Sequence, residues 1–357
     1  MNIRTYIKRF MAAATFIVAS MTLASCHNAI YDEEGDCEVR YHLRFRYDMN
    51  MKFADAFPHE VKSVHLYVFS DEGKLVWQTT DSGDHLAQEG YEIILPLEAG
   101  DYSLMAWCGL DNGESFTVPE ISNGETPELL HCRLNRTSHP EDGAVSTDDL
   151  HHLFHGTLEV SLPENPDGGD YTYIMPLMKD TNVFRIVLQH LSGEDIDADD
   201  FSFKIEDNNG WLNHDNSMRQ DEKITYHAWS KYSGSAGVDL PENGDGSRAI
   251  TDVKVAVAEL TVSRLMQRDW TKDAKPVLVI RKTHPKAGED NLVARIPIID
   301  YALLVKGNYN REMSDQEYLD RQDEYNMTFF LDENNRWLAT TIIINSWRVV
   351  LNPTDLN

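Results

Sequence analysis

Cysteine is scarce in this chain, with four residues in 357. So few exclude a disulfide-dense scaffold, and without a Cys-x-x-Cys among them a zinc ribbon or redox motif has no footing. Basic residues are also few: 32 Lys and Arg stand against 59 Asp and Glu, a formal charge of −27. A chain this acidic repels polyanions, so no nucleic-acid partner is expected. No Gly-x-Ser-x-Gly, phosphate loop or dinucleotide fingerprint occurs. Acids are so plentiful that no pair stands out as acid and base. The reading is a non-enzymatic protein without cofactor or metal. No apolar run reaches 18 residues, and sustained helical periods are nearly missing too.

What is present begins at the N-terminus. Residues 1–10 carry Arg4, Lys8 and Arg9 and no acid, and residues 11–24 (MAAATFIVASMTLA) are almost wholly apolar. This is the layout of an export signal, too short for a confident membrane span. It ends in Leu23-Ala24-Ser25-Cys26, which matches a bacterial lipobox: small residues for the peptidase, then a thiol that receives a diacylglycerol. Cys26 is the expected lipid anchor, two or three acyl chains being enough for stable attachment. The competing reading is an ordinary signal peptide with a chance cysteine. Removing residues 1–25 leaves 29 basic and 59 acidic residues, so the mature chain carries −30.

After a short acidic leader, residues 26–36, the pattern becomes that of strands. "CEVRYHLRFRYDM" alternates Val39, Tyr41, Leu43, Phe45 and Tyr47 with polar residues, the period of two of a half-wet strand. "VKSVHLYVFSDEGKLVWQTT" reads as a hairpin about Asp71-Glu72-Gly73, and "YEIILPLEAGDYSLMAWCGL" as a second one about Ala99-Gly100. "PENPDGGD" (163–170) has linker composition. Beyond it, "DTNVFRIVLQHL", "DFSFKIEDNNGWLNHD", "VKVAVAELTVSRL", "PVLVIRK" and "NLVARIPII" restart the strand pattern. Ser314 with Glu317 is a capping box, so a short exposed helix is expected near 314–325. The fold expectation is all-β: two tandem antiparallel β-sandwich domains, 37–167 and 168–357.

Cys37 opens one strand and Cys108 closes another, and antiparallel neighbours would bring such ends together. A Cys37–Cys108 disulfide is therefore expected, with Cys132 left as a buried thiol. Several clusters offer chemistry on paper. His151, His152 and His155 invite a zinc reading, but the stretch leads into a strand, and a structural cluster is preferred. Asp195, Asp197, Asp199 and Glu206 fall at positions 1, 3, 5 and 12 of a calcium loop, yet the glycine position holds Asp200. "ENGDGS" (242–247) reads as a solvated turn. Of seven tryptophans, Trp107 and Trp337 are expected in the core, and Trp211, after Asn209-Gly210, reads first as packing between the domains and second as exposed. An exposed tryptophan could stack on a sugar, which makes a surface glycan-binding lipoprotein the rival reading.

Several long strings carry a resemblance: "IYDEEGDC" just past the lipobox, "VKSVHLYVFSDEGKLVW", "AGDYSLMAWCGL", "DTNVFRIVLQ", and "QDEYNMTFFLD" through "INSW". From about residue 26 to 351 the chain resembles the FimB-type fimbrial anchor lipoproteins of Bacteroidetes. The resemblance implies transthyretin-like sandwich domains, a surface-exposed position on the outer membrane, and fimbrial shaft subunits (fimbrillin) as partners. It implies a role in holding the fimbria base on the cell and limiting fimbria length. The one functional residue it carries over is Cys26; Asp32-Glu33-Glu34 would assist export to the outer face. Such fimbriae grow by strand addition. The β-branched run "TTIIINSWRVV" reads first as a core strand and second as a strand for exchange.

Overall fold

The computed structural model describes residues 38–110, 113–165, 168–239, 250–307 and 310–350. Cys26, Asp32 to Glu34, Cys37 and the 242–247 turn lie outside these residues. In chain order the first elements are β1 (Val39–Arg46), helix α1 (Phe57–Glu60), β2 (Ser63–Ser70), β3 (Leu75–Ser82), β4 (Ile93–Leu95) and β5 (Gly100–Cys108). Short strands follow: β6 (Phe116–Thr117), β7 (Cys132–Leu134), β8 (Thr137–His139) and β9 (Gly143–Ser146), then β10 (Phe154–Leu162), β11 (Gly169–Pro176) and β12 (Met178–Lys179). The second half holds β13 (Thr181–His190), β14 (Phe201–Asp207), β15 (Trp211–Leu212), β16 (Ile224–His227), β17 (Ser230–Asp239) and β18 (Ile250–Ser263). It closes with β19 (Val277–Lys282), β20 (Leu292–Pro297), helices α2 (Ile298–Leu304) and α3 (Asp315–Arg321), β21 (Glu324–Leu331), β22 (Trp337–Ile344) and β23 (Trp347–Val350).

Two sandwiches result. In the first, the sheet β11-β1-β4 covers the sheet β12-β10-β5-β2-β3. The alternation read on β1 is the inward face: Tyr41, Leu43 and Phe45 are buried against Val64, Leu66 and Val68 of β2 and Leu104 and Ala106 of β5. In the second, β17-β18-β13-β21-β22-β23 faces β20-β19-β14-β16-β9-β8. Phe184, Ile186 and Leu188 of β13 meet Phe201, Phe203 and Ile205 of β14 across that core. Each such side chain contributes on the order of 1.5–3 kcal/mol by leaving water.

The all-β expectation holds, with differences in detail. The hairpin about Gly73 forms; its φ of +69° is the conformation glycine allows without strain, and Ser70 N donates to Lys74 O at 2.8 Å. The hairpin expected about Ala99-Gly100 does not form. β4 pairs with β1 in one sheet and β5 with β2 and β10 in the other, so residues 96–99 cross between layers. Among the described residues three pairs are parallel, β1–β11, β9–β16 and β13–β21, each closed by the long connections that parallel pairing requires. Ile298 and Ile299, the end of a stretch read as strand, instead begin helix α2, because Pro297 ends β20 and is the N-cap of the helix. Helix α3 starts where the capping box placed it: Ser314 Oγ accepts from Glu317 N at 3.0 Å. It is shorter than expected and not simply exposed, since Tyr318, Leu319 and Asp320 are buried.

Hydrogen-bonded sheets also cross the boundary expected at residue 167. β11 pairs with β1, although it lies past the linker. β8 and β9 from the first half extend the second sandwich through β16, and β7 pairs with β15. The second core therefore runs on without a break into Tyr67, Met105 and Trp107 on the outer face of the first sandwich.

Candidate functional site

Where the two sandwiches meet, polar groups are buried and paired. β12 ends at Lys179, whose ammonium lies 2.9 Å from Glu60 of α1 and 2.8 Å from Asp323, just ahead of β21. Burial alone would push the Glu60 carboxyl up, but hydrogen bonds from His152 and Lys179 bring it down to about 2. One residue on, the side chain of Asp180 is fully buried, accepts from Asn216 Nδ2 at 2.9 Å and faces Arg264 at 3.8 Å. Burial pushes its carboxyl up to about 7 against the pull of that guanidinium. Arg264, at the end of β18, grips Asp320 of α3 with two bonds of 2.8 and 2.9 Å and donates to Asn216 O at 3.0 Å.

Other pairs repeat the arrangement. Arg136 from the first half binds Asp221 at 2.5 and 2.7 Å. Thr261 Oγ1 donates to Asp149 at 2.9 Å and accepts from Trp229 Nε1 at 3.1 Å. Arg321 of α3 reaches back to the carbonyl of Asp48 at 3.2 Å and lies over the Phe53 ring at 4.6 Å. Charged pairs in fixed geometry, and a second core that continues onto the outer face of the first sandwich, leave little for a hinge to act on.

The candidate chemical sites dissolve. His155 is buried on Trp107, with ring centroids 4.5 Å apart, and donates through Nε2 to His214 O at 2.8 Å. Burial brings its imidazole down to about 4, so it stays neutral. His151 and His152 point instead to Glu114 and Glu60, at 3.6 and 3.5 Å. The three histidines are not brought together. Asp197 caps a one-turn helix by accepting from Asp199 N at 3.0 Å, and Asp199 faces Lys231 at 3.4 Å. Glu206 lies on β14, beside Lys223 and Arg295. A strand cannot wrap back as the end of a calcium loop, so that set is not a cation site. Among the described residues no three His, Cys, Asp or Glu are arranged to hold a metal.

The expected Cys37–Cys108 bridge is not seen. Cys108 is a free, fully buried thiol, as is Cys132. Cys108 sits beside Phe154, whereas β1 begins beside Gly169 at the other end of the sandwich. Trp107 is core, and Trp337 packs against the core in part. Trp211 is not open: Arg133 and Arg219 lie over its ring at 5.0 and 4.3 Å. The tryptophans that are exposed, Trp229 at 36% and Trp347 at 68%, border opposite edges of one sheet. They form no common sugar platform. "TTIIINSWRVV" is built into that sheet as β22 and edge strand β23. The junction network has no local signal in the sequence, because its members are separated by up to 273 residues (Asp48 to Arg321).

A double β-sandwich whose buried ion pairs join its halves defines an all-β structural framework. The chain belongs to the family of fimbrillin-A associated anchor proteins Mfa1 and Mfa2, whose model matches residues 33–353. It is 25% identical over 220 residues to the minor fimbrium anchoring subunit Mfa2 of Porphyromonas gingivalis, covering 60% of this chain and 64% of that one. It thus spans just under two-thirds of that relative's length. The crystal structure of that organism's fimbrial anchor protein Mfa2 shares the fold, at a TM-score of 0.61 and 18% identity over 88% of this chain and 100% of that one. A candidate adhesin of Bacteroides thetaiotaomicron matches with a TM-score of 0.74 and 33% identity, over 90% of this chain and 100% of that one. A candidate polysaccharide-binding protein of the same bacterium matches with 0.71 and 28%, over 89% and 100%.

Proposed function

We propose that this protein is the cell-bound anchor of a fimbria. Cys26 carries the lipid, the outer membrane holds the lipid, and the double sandwich holds the fimbria base and limits how far the shaft grows. The observation that carries this reading is the family match, which spans nearly all of the chain past the lipobox. The fused junction supports it physically: a footing under tension gains from halves that do not swing. Shaft subunits attach by adding a strand to an open sheet edge, where main-chain bonds supply affinity and alternate side chains fill pockets. β17 and β23 are such edges.

The test is genetic and simple. Cells lacking the protein shed fimbriae, overlong, into the medium, and Cys26→Ala moves the protein from the membrane fraction to the soluble one. Fimbriae kept at normal length on cells without it would end the anchor reading. The rival glycan-binding reading draws on the likeness to the candidate polysaccharide-binding protein. It expects saturable oligosaccharide binding in calorimetry, and the separated positions of Trp229 and Trp347 speak against it.

A further inference from the structure

The route of the chain through the first sandwich fixes the direction in which tension meets it. Glu38 O accepts from Gly169 N at 3.2 Å, and Tyr41 OH donates to Pro163 O at 2.8 Å. Residue 38 therefore enters at the pole formed by the 71–73 turn, the 96–99 crossing and the 163–165 segment. The other end of β1 lies at the opposite pole: Leu177 N donates to Arg46 O at 2.8 Å, and the rings of Tyr47 and Phe154 are 5.0 Å apart. That pole abuts the second sandwich, since Asp180 N donates to Leu153 O at 2.7 Å and β13 starts at Thr181. The chain thus enters the first sandwich at the pole away from the second.

We infer that β1 is a shear-loaded clamp: a pull on residue 38 drags β1 along its own axis past β11 and β4, never sideways off them. For the direction of load the inference rests on the anchor reading. β1 is the middle strand of its sheet, in register with β11 from Val39↔Gly169 through Arg46↔Pro176 and with β4 from Tyr41↔Leu95 to Leu43↔Ile93. Its ladder bonds run across the strand, so an axial pull loads all of them together, whereas a sideways pull opens them one at a time. Tyr41, Leu43, Phe45 and Tyr47 are also buried between the sheets and must leave the core before β1 can slide. Beyond β1, the 47–56 loop is tied to α3 by Arg321. Load that passes the clamp reaches the second sandwich directly.

Single-molecule pulling on the mature chain tests this without a fimbria, because forced unfolding reports the barrier to unfolding. Cys26→Ser and Cys37→Ser leave only the buried thiols, one handle goes on the N-terminus, and a second on a cysteine at Ser192 or at Glu98, both exposed. Ser192 lies past β13 at the far pole and gives axial load; Glu98 lies beside the entry point and peels β1 sideways. Matching melting temperatures show that both variants fold. At one loading rate the axial geometry should need at least twice the rupture force, and the first length released should be that of β1 and the 47–56 loop. Equal forces in the two geometries, or a first break inside the second sandwich, would overturn the inference. Either result leaves the anchor reading to stand or fall by fimbria shedding alone.

Discussion

Replacing Lys179 with methionine is the sharpest perturbation of the junction. Methionine keeps most of the buried stem and removes the ammonium. Two carboxylates, Glu60 and Asp323, then lose the charge that lies 2.9 and 2.8 Å from them. Breaking a buried pair costs ~3–5 kcal/mol, and these carboxylates keep 28% and 23% exposure, which favours the lower end. The titration of Glu60 points the same way but carries only part of this loss, because the hydrogen bond from His152 lowers its carboxyl more than either interaction with Lys179 does. Against the upward push of burial, that carboxyl is brought down to about 2 by His152 first and by Lys179 second. A loss of about 3 kcal/mol at pH 7 is expected, a melting point lower by roughly 5–10 °C. The pH dependence separates this mechanism from general damage. A carboxyl held low stabilises the fold above its unfolded pKa, and that contribution is lost as pH falls through the folded value. The gap between wild type and Lys179→Met should be widest above about pH 5 and nearly closed at pH 2. Circular-dichroism melts at matched ionic strength measure it. A gap that stays constant on acidification, or none at pH 7, would refute the reasoning.

Two further substitutions probe other parts of the same region. Asp180 has its carboxyl raised to about 7 by burial, so the folded chain holds a proton that the unfolded chain has released, and stability falls as pH rises from ~4 to 7. Asp180→Asn fixes the neutral form, and its melting temperature should be flatter over that window than that of wild type; parallel slopes would remove Asp180 as the cause. At Gly109, with φ +82°, an added Cβ would lie 1.8 Å from His152 O. Gly109→Ala should cost more than ~3 kcal/mol in urea unfolding, and a loss under 1 kcal/mol would show that the 150–153 segment yields freely.

The local elements were legible in the residues. Period-two alternation marked β1, whose inward set is the apolar set read from the sequence; β13 and β14 alternate in burial likewise, while β2 is buried on both faces. Gly73 and Ser314 marked a turn and a helix start through chemistry confined to four or five residues. The resemblance to fimbrial anchors rested on strings of that same local kind, and the family is the one found.

Partner choice was not legible. β4 reads as well beside β5 as beside β1, and nothing in "GAVS" says that β9 joins a sheet some 80 residues away at β16. The lysine and arginine that join the halves, Lys179 and Arg264, look like any surface cation until the fold buries them. Alternation depends only on a residue's own neighbours along the chain, so the sequence alone settled which faces point inward. Pairing and burial depend on what arrives from a distance in sequence, so only the tertiary structure decided which strands meet, which charges are sealed, and that the core of the second sandwich continues onto the outer face of the first.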